Sequence, residues 1–181
     1  FYATDGTCGN GVVEDCIFQK CTSSGNGGGA LLQCHTIRMN RNCFSDCCSE
    51  LTSHAFCTNT TISSIDMTYT SKCAPEPIDC GSFFIIGHEQ TLSNGNITDS
   101  ISSSLGLMTV TSNSEETLMN FHHIVNCTGN PLIFDILGFC TFSQLVILHN
   151  KCLEDEGVIL KSDNNCVFSD SFVINNTHTV I

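Results

Sequence analysis

A short phrase returns along this chain at a nearly constant interval: an apolar or ring-bearing residue, two further positions, then an asparagine. It occurs at 37–40, 123–126, 147–150 and 172–175, and the last three asparagines, Asn126, Asn150 and Asn175, follow one another at steps of 24 and 25. Phenylalanines keep a similar beat, with steps of 26 from Phe18 to Phe44, 21 from Phe121 to Phe142 and 26 from Phe142 to Phe168. The wider gap from Phe44 to Phe121 holds close to three more periods, with Tyr69 near the first of them. A fixed period of this size marks a repeat architecture, in which each unit buries its apolar face against the next.

Helical repeats of this period need apolar residues at i, i+3, i+4 and i+7 over long stretches. This chain is poor in Ala, Leu, Lys and Glu and rich in Ser, Thr, Asn, Gly, Cys, Ile and Phe, the residues of strands and turns. Its apolar runs are short, among them 16–18, 30–32, 83–86, 144–148, 166–168 and 172–174, each bounded by polar or glycine-rich sequence, as strands are. Two or three short strands per period without a helix predict an all-β parallel β-helix, one solenoid domain over 1–181, of about seven coils of 21–26 residues. Residues 1–11 read as an irregular N-terminal piece. The phrase degenerates over 59–115, where the register stays open. Gly27, Gly28 and Gly29 precede a strand-like run, so they read as a turn rather than a phosphate-binding loop.

In such a fold an inward side chain sits over its equivalent in the next coil. Asn126, Asn150 and Asn175 are therefore expected to stack as an amide ladder at a bend, satisfying polar groups that are costly to bury alone. Stacked Phe and Cys would fill the space between the sheets.

The formal net charge is −12, from 18 acidic and 6 basic residues. Without a basic patch, nucleic acid is a poor partner, and so is an anionic membrane surface. The chain holds no 18-residue apolar span and no signal-peptide pattern, so direct membrane insertion is not expected. It starts and stops within the repeat, as a piece of a longer chain would, and the strand edges of a solenoid then invite continuation or end-to-end contact.

Fourteen cysteines in 181 residues indicate a disulfide framework in an oxidising compartment. Cys127, Cys140, Cys152 and Cys166 follow at steps of 13, 12 and 14, each about half a period. Cys127 would then lie over Cys152 and Cys140 over Cys166, at a rung distance of about 5 Å that a disulfide spans. Cys16, Cys21, Cys43 and Cys47 are further disulfide candidates. The alternative is a ladder of reduced, buried thiols, and connectivity is not readable from spacing.

Cys43, Cys47, Cys48, His54 and Cys57 cluster in sequence but lack the paired Cys-x2-Cys knuckles of a zinc module. No metal or other cofactor is expected. The vicinal pair His122–His123 points to opposite faces if it lies on a strand. Catalytic constellations are thin. The acidic runs 154–156 and 115–116 resemble solvated turns, and Lys20, Arg38, Arg41, Lys72, Lys151 and Lys161 do not gather in sequence. No residue is assigned a catalytic role. Four sequons begin at Asn59, Asn96, Asn126 and Asn175, no more than a chain so rich in Asn, Ser and Thr generates by chance. With Asn126 and Asn175 placed inward by the ladder, Asn59 and Asn96 are the glycosylation candidates.

Gly28, Gly29, Ala30 and Leu31 spell Gly-Gly-Ala-Leu, and Phe172 to Asn175 spell Phe-x-x-Asn. In these, and in the run Cys16-Ile17-Phe18-Gln19-Lys20-Cys21 that precedes Gly-Gly-Ala-Leu, the chain resembles the chlamydial polymorphic outer-membrane protein family. Related Cys-, Ser- and Asn-rich proteins lie on the surface of protists such as trichomonads. The resemblance covers about half the chain. The first motif occurs once, and most copies of the second are degenerate. It implies a right-handed parallel β-helix exposed at the cell surface and acting in adhesion.

The resulting expectation is an extracellular or cell-surface structural or adhesive protein, prone to filaments or end-to-end assemblies. Its partners would be itself, neighbouring surface proteins, or host or matrix glycans. The alternative is a β-helical carbohydrate-active enzyme of the polysaccharide lyase or hydrolase kind, or a carbohydrate-binding module. The absence of Trp and only two Tyr leave few sugar-stacking platforms, which favours the structural reading.

Overall fold

A computed structural model describes residues 2–4, 9–51, 53–73, 81–101, 108–112, 117–129, 134–152, 160–162 and 165–177. Among them are 21 β-strands and no helix, and the strand pairings are parallel. The chain is a parallel β-solenoid of about five turns, slightly fewer than the seven expected; the windings at its two ends are only partly described.

Three faces run along the solenoid. The first contains Tyr2–Thr4, the start of the long strands Ala30–Ser45 and Phe56–Ser71, then Phe83–Gly87, Met108–Ser112, Phe134–Leu137 and Leu160–Ser162. The second contains Asn10–Glu14, the middles of the two long strands, Glu89–Ser93, Thr117–Asn120, Cys140–Ser143 and Cys166–Ser169. The third contains Ile17–Gln19, the ends of the long strands, Asn96–Thr98, His123–Val125, Val146–Leu148 and Phe172–Ile174. The stretch expected to be irregular thus carries Tyr2–Thr4, paired with 31–33, and the start of Asn10–Glu14.

Register fixes which residues stack. The step between partners is 26 at Val12↔Arg38, 27 at Ile65↔Leu92 and 23 at Phe142↔Met119. It is 25 at Phe83↔Met108 and 29 at Tyr2↔Leu31, so the coils vary more than the sequence beat implies. Alternation along each strand sends every second side chain inward. On the second face Val13, Met39, Ile65, Leu92, Met119, Phe142 and Phe168 form one inward column, and on the third Phe18, Phe44, Thr70, Ile97, Ile124, Ile147 and Val173 form another. The phenylalanine beat therefore mixes two columns. Phe18 stacks on Phe44 with centroids 4.6 Å apart and Phe142 on Phe168 at 4.5 Å, but these pairs sit on different faces. Tyr69 partners Cys43 and lies outward, and Phe121 is an exposed corner residue.

Two corners bend the chain between its faces. All fourteen described non-glycine residues with positive φ, from 46° to 57°, fall in two columns. Asp15, Arg41, Met67, Asn94, Phe121, Gln144 and Asp170 form the first, and Lys20, Asp46, Lys72, Asp99, Asn126, His149 and Asn175 the second. Seven of the fourteen are Asn or Asp, the residues that adopt this conformation at least cost. Two of the four repeated asparagines of the sequence, Asn126 and Asn175, are this corner, while Asn40 lies within a strand and Asn150 follows the corner. Gly27 has φ +67°, and a Cβ on Gly28 would lie 2.4 Å from the carbonyl oxygens of Cys48 and His54, so the expected glycine turn exists and cannot carry side chains.

Candidate functional site

The position after each left-handed corner points inward, and its side chain can add a second hydrogen bond to the carbonyl two residues back, which at Ser45, Ser71, Thr98, Val125 and Ile174 already accepts a backbone N–H from the turn below. At the first corner this position is held by Cys16, Asn42, Thr68, Gly95, His122, Leu145 and Ser171, and at the second by Cys21, Cys47, Cys73, Ser100, Cys127, Asn150 and Asn176. The same bond recurs through different chemistries. Ser100 Oγ donates to the Thr98 carbonyl at 3.1 Å, Cys127 Sγ to Val125 at 3.4 Å and Asn176 Nδ2 to Ile174 at 3.2 Å. At the first corner Cys16 Sγ donates to Glu14 at 3.1 Å and Ser171 Oγ to Ser169 at 2.9 Å.

The amide ladder expected of Asn126, Asn150 and Asn175 is corrected by one residue. Asn126 and Asn175 are exposed corner residues. Asn150 is 2% exposed, and its neighbour above is Asn176. Its Nδ2 donates to the Ile124 carbonyl at 3.0 Å and to Asn176 Oδ1 at 2.9 Å, while its Oδ1 accepts from the Cys127 backbone N–H at 2.8 Å. Asn42 repeats this at the first corner, donating to Val13 and accepting from the Cys16 N–H. Unequal coil lengths hide the true partners from an even spacing: the step from Cys127 to Asn150 is 23, and that from Asn150 to Asn176 is 26.

The cysteine expectations divide. Cys140 and Cys166 are in register on the second face and form a disulfide with Cα atoms 4.9 Å apart. Cys127 and Cys152 do not stack: Cys152 partners Gly129, and Cys127 is a buried free thiol whose pKa burial pushes up to about 12. Cys16 lies next to Asn42, and Cys43 faces outward between Ile17 and Tyr69.

Cys21 and Cys47 share the second-corner column with Cys73, which is not among the candidates although the three follow one another at equal steps of 26. Backbone bonds lock this register: Lys20 N–H to Ser45 at 2.9 Å, Asp46 N–H to Ser71 at 3.1 Å and Cys48 N–H to Cys21 at 2.9 Å. Each upper thiol also reaches the turn below, Cys47 Sγ to the Phe18 carbonyl at 3.4 Å and Cys73 Sγ to Phe44 at 3.7 Å. Cys21 is half-buried, and Cys47 and Cys73 are fully buried. Side-chain hydrogen bonding from Cys73, and then from Cys21, holds the Cys47 thiol well below its ordinary pKa, against the opposing effect of burial. Cys73, as the donor to Cys47 and as a buried group, is raised, and burial raises Cys21.

The histidines divide as the vicinal pair predicts. His122 is 2% exposed and His123 is exposed. Loss of solvent pushes His122 down to about 4, and a Cβ on Gly95 would lie 2.4 Å from its Nδ1, so the glycine makes room for the ring. His54 is buried too, pushed down by burial to about 4, its Nδ1 accepting from the Ser49 N–H at 3.0 Å. No cluster of three His, Cys, Asp or Glu fit for a metal occurs among the described residues.

On the surface Arg41 pairs with Asp15 at 2.6 Å, which holds that carboxyl below its usual range, and Arg38 with Glu14 at 3.1 Å. The acidic runs 154–156 and 115–116 lie outside the described residues. Of the glycosylation candidates, Asn59 is exposed on the first face and Asn96 is half-buried on the third. A shallow depression of about 190 Å³ lies beside Asn59, between Thr61 and His88. Asn126 and Asn175 are exposed as well, because the corner turns them outward. No protein-family model matches the chain, and no curated protein or solved structure shows significant similarity to it.

Proposed function

We propose that the chain is a structural or adhesive solenoid of an extracellular or cell-surface setting, whose faces meet other copies, neighbouring surface proteins or glycans. The observation that carries this reading is a change along the third face. Its outward positions are Asn96 and Thr98 in mid-solenoid, then His123 and Val125, then Val146 and Leu148, and finally Phe172 and Ile174. Phe172 is 63% and Ile174 49% exposed. With Val146 and Leu148 they make a contiguous apolar stripe at the late end of this face, and such a stripe is what an interaction surface requires. Support also comes from the rung disulfide, which suits an oxidising compartment, from exposed sequon asparagines, and from the resemblance to polymorphic outer-membrane proteins.

The test pairs sedimentation of the purified chain with its binding to immobilised glycans and matrix glycoproteins, using native protein and the double variant Phe172→Ser with Ile174→Ser. The expected result is self-association or capture that the double variant loses. A monomer that binds nothing, or release of unsaturated sugars from a polyuronate, would overturn the reading and, in the second case, favour the carbohydrate-active alternative.

A further inference from the structure

One column holds three stacked thiols, and three cannot all pair. Cys140 and Cys166 show that two cysteines one turn apart in this solenoid close a disulfide at a Cα separation of 4.9 Å. Cys21, Cys47 and Cys73 repeat that relation twice, at the same step of 26, with the backbone register fixed by the bonds from Lys20 and Asp46. Neighbouring rungs lie about 4.8 Å apart, inside the range a disulfide spans, whereas Cys21 and Cys73 are two rungs apart, about 9.6 Å, and outside it. Any bridge in the column must include Cys47. The third thiol is then always one rung from the Cys47 sulfur.

We propose that Cys21, Cys47 and Cys73 form a redox-exchange site that accepts a low-molecular-weight disulfide at its half-exposed end and moves the bridge inward by one turn. The Cys21 thiolate attacks one sulfur of a disulfide RSSR and expels RS⁻, leaving Cys21–S–S–R. The Cys47 thiolate attacks the Cys21 sulfur, expels the second RS⁻ and closes Cys21–Cys47. Cys73 gives its proton to a released RS⁻ and attacks the Cys47 sulfur. The Cys21–Cys47 bond breaks, Cys47–Cys73 forms, and the Cys21 thiolate takes up a proton. The sum is RSSR plus two thiols giving two RSH plus one buried disulfide.

The site suits this order. Cys21 is the only one of the three that is not fully buried, so a small disulfide meets it first. Cys47 bears the favoured thiolate, stabilised chiefly by Cys73, and it makes the second attack, the one that closes the bridge. The final bridge lies where Cys47 and Cys73 are 0% exposed, out of reach of an external reductant. The column tolerates the needed variants, because Ser100 already fills the next position with the same bond to the carbonyl two residues back.

The experiment incubates the reduced full chain with oxidised glutathione, quenches with acid, alkylates and maps linkages by mass spectrometry. The native chain is expected to pass from glutathione on Cys21, through Cys21–Cys47, to Cys47–Cys73. Cys73→Ser should stop at Cys21–Cys47, and Cys47→Ser should stop at glutathionylated Cys21 with no bridge in the column. The proposal is overturned if the native chain leaves Cys47 reduced while Cys140–Cys166 closes, a result needing no variant. It is also overturned if Cys47 links outside the column, or if Cys47→Ser forms a Cys21–Cys73 bond.

Discussion

The lower and upper parts of the second-corner column occupy one geometric position with two chemistries. Cys21, Cys47 and Cys73 hold it in the early turns, Asn150 and Asn176 in the late ones, and Ser100 and Cys127 between. Each side chain caps the carbonyl two residues back, or the carbonyl one turn below that stacks under the residue three back. The amide of Asn150 makes three side-chain bonds of 2.8–3.0 Å. The thiols of Cys47 and Cys73 make bonds of 3.4–3.7 Å, weak ones for a weak donor. The position therefore demands only a small donor. What the chain places there decides whether the turn is held by hydrogen bonds or left open to sulfur chemistry.

The largest effect should come from breaking the amide end. Asn150→Ala leaves the Cys127 N–H without its acceptor inside the solenoid and removes the side-chain bonds to the Ile124 carbonyl and to Asn176, and is expected to cost about 4 kcal/mol, seen as a lower urea midpoint at unchanged slope. Cys140→Ser removes a cross-link spanning a sequence separation of 26 and should cost about 3 kcal/mol, measured the same way under non-reducing conditions.

The first corner is sensitive to acid, because His122 holds a position that Leu145 holds one turn later. The folded pKa of His122, about 4, lies below its value of 6.5 in the unfolded chain. Between those values the unfolded chain binds a proton that the folded chain does not. Stability is therefore complete above pH 6.5 and falls as the pH drops toward 4, by roughly 2 kcal/mol at pH 5. Buried His54 acts in the same direction. His122→Leu should flatten the profile between pH 6.5 and 4, and an unchanged slope would remove His122 from the account.

The smallest effect belongs to the thiol end. Cys73→Ser under reducing conditions should shift stability by no more than about 1 kcal/mol, since serine serves at Ser100. A loss as large as that of Asn150→Ala would mean that a small donor does not suffice at this position.

The repeat itself is plain in the sequence, because corner residues and inward columns each recur once per turn. Parallel strands follow from that beat and the glycine turn from the strand-like run it precedes, while Cys140–Cys166 is one of two stacked pairs that the half-period steps offer, and the other, Cys127–Cys152, does not form. The exact partners do not. The step from Ile97 to Ile124 is 27, and that from Ile124 to Ile147 is only 23, and a slip of one residue exchanges inside for outside. That slip places Asn126 and Asn175 in the core and keeps Asn176 out of it. Two of the three cysteines in the thiol column stand among many candidates, and Cys73 is lost in the stretch where the asparagine phrase fades. Tallying cysteine pairs at the step shared by Cys140 and Cys166 would have found it.

Residues one turn apart touch. Ile97, Ile124 and Ile147 are fully buried and stacked in one column, so nuclear Overhauser spectra of a chain methyl-labelled at isoleucine test it directly. Cross-peaks linking Ile97 to Ile124 and Ile124 to Ile147, with none joining Ile97 to Ile147, are the predicted result. Strong contacts between Ile97 and Ile147, or silence between Ile124 and both, would contradict the stacked winding.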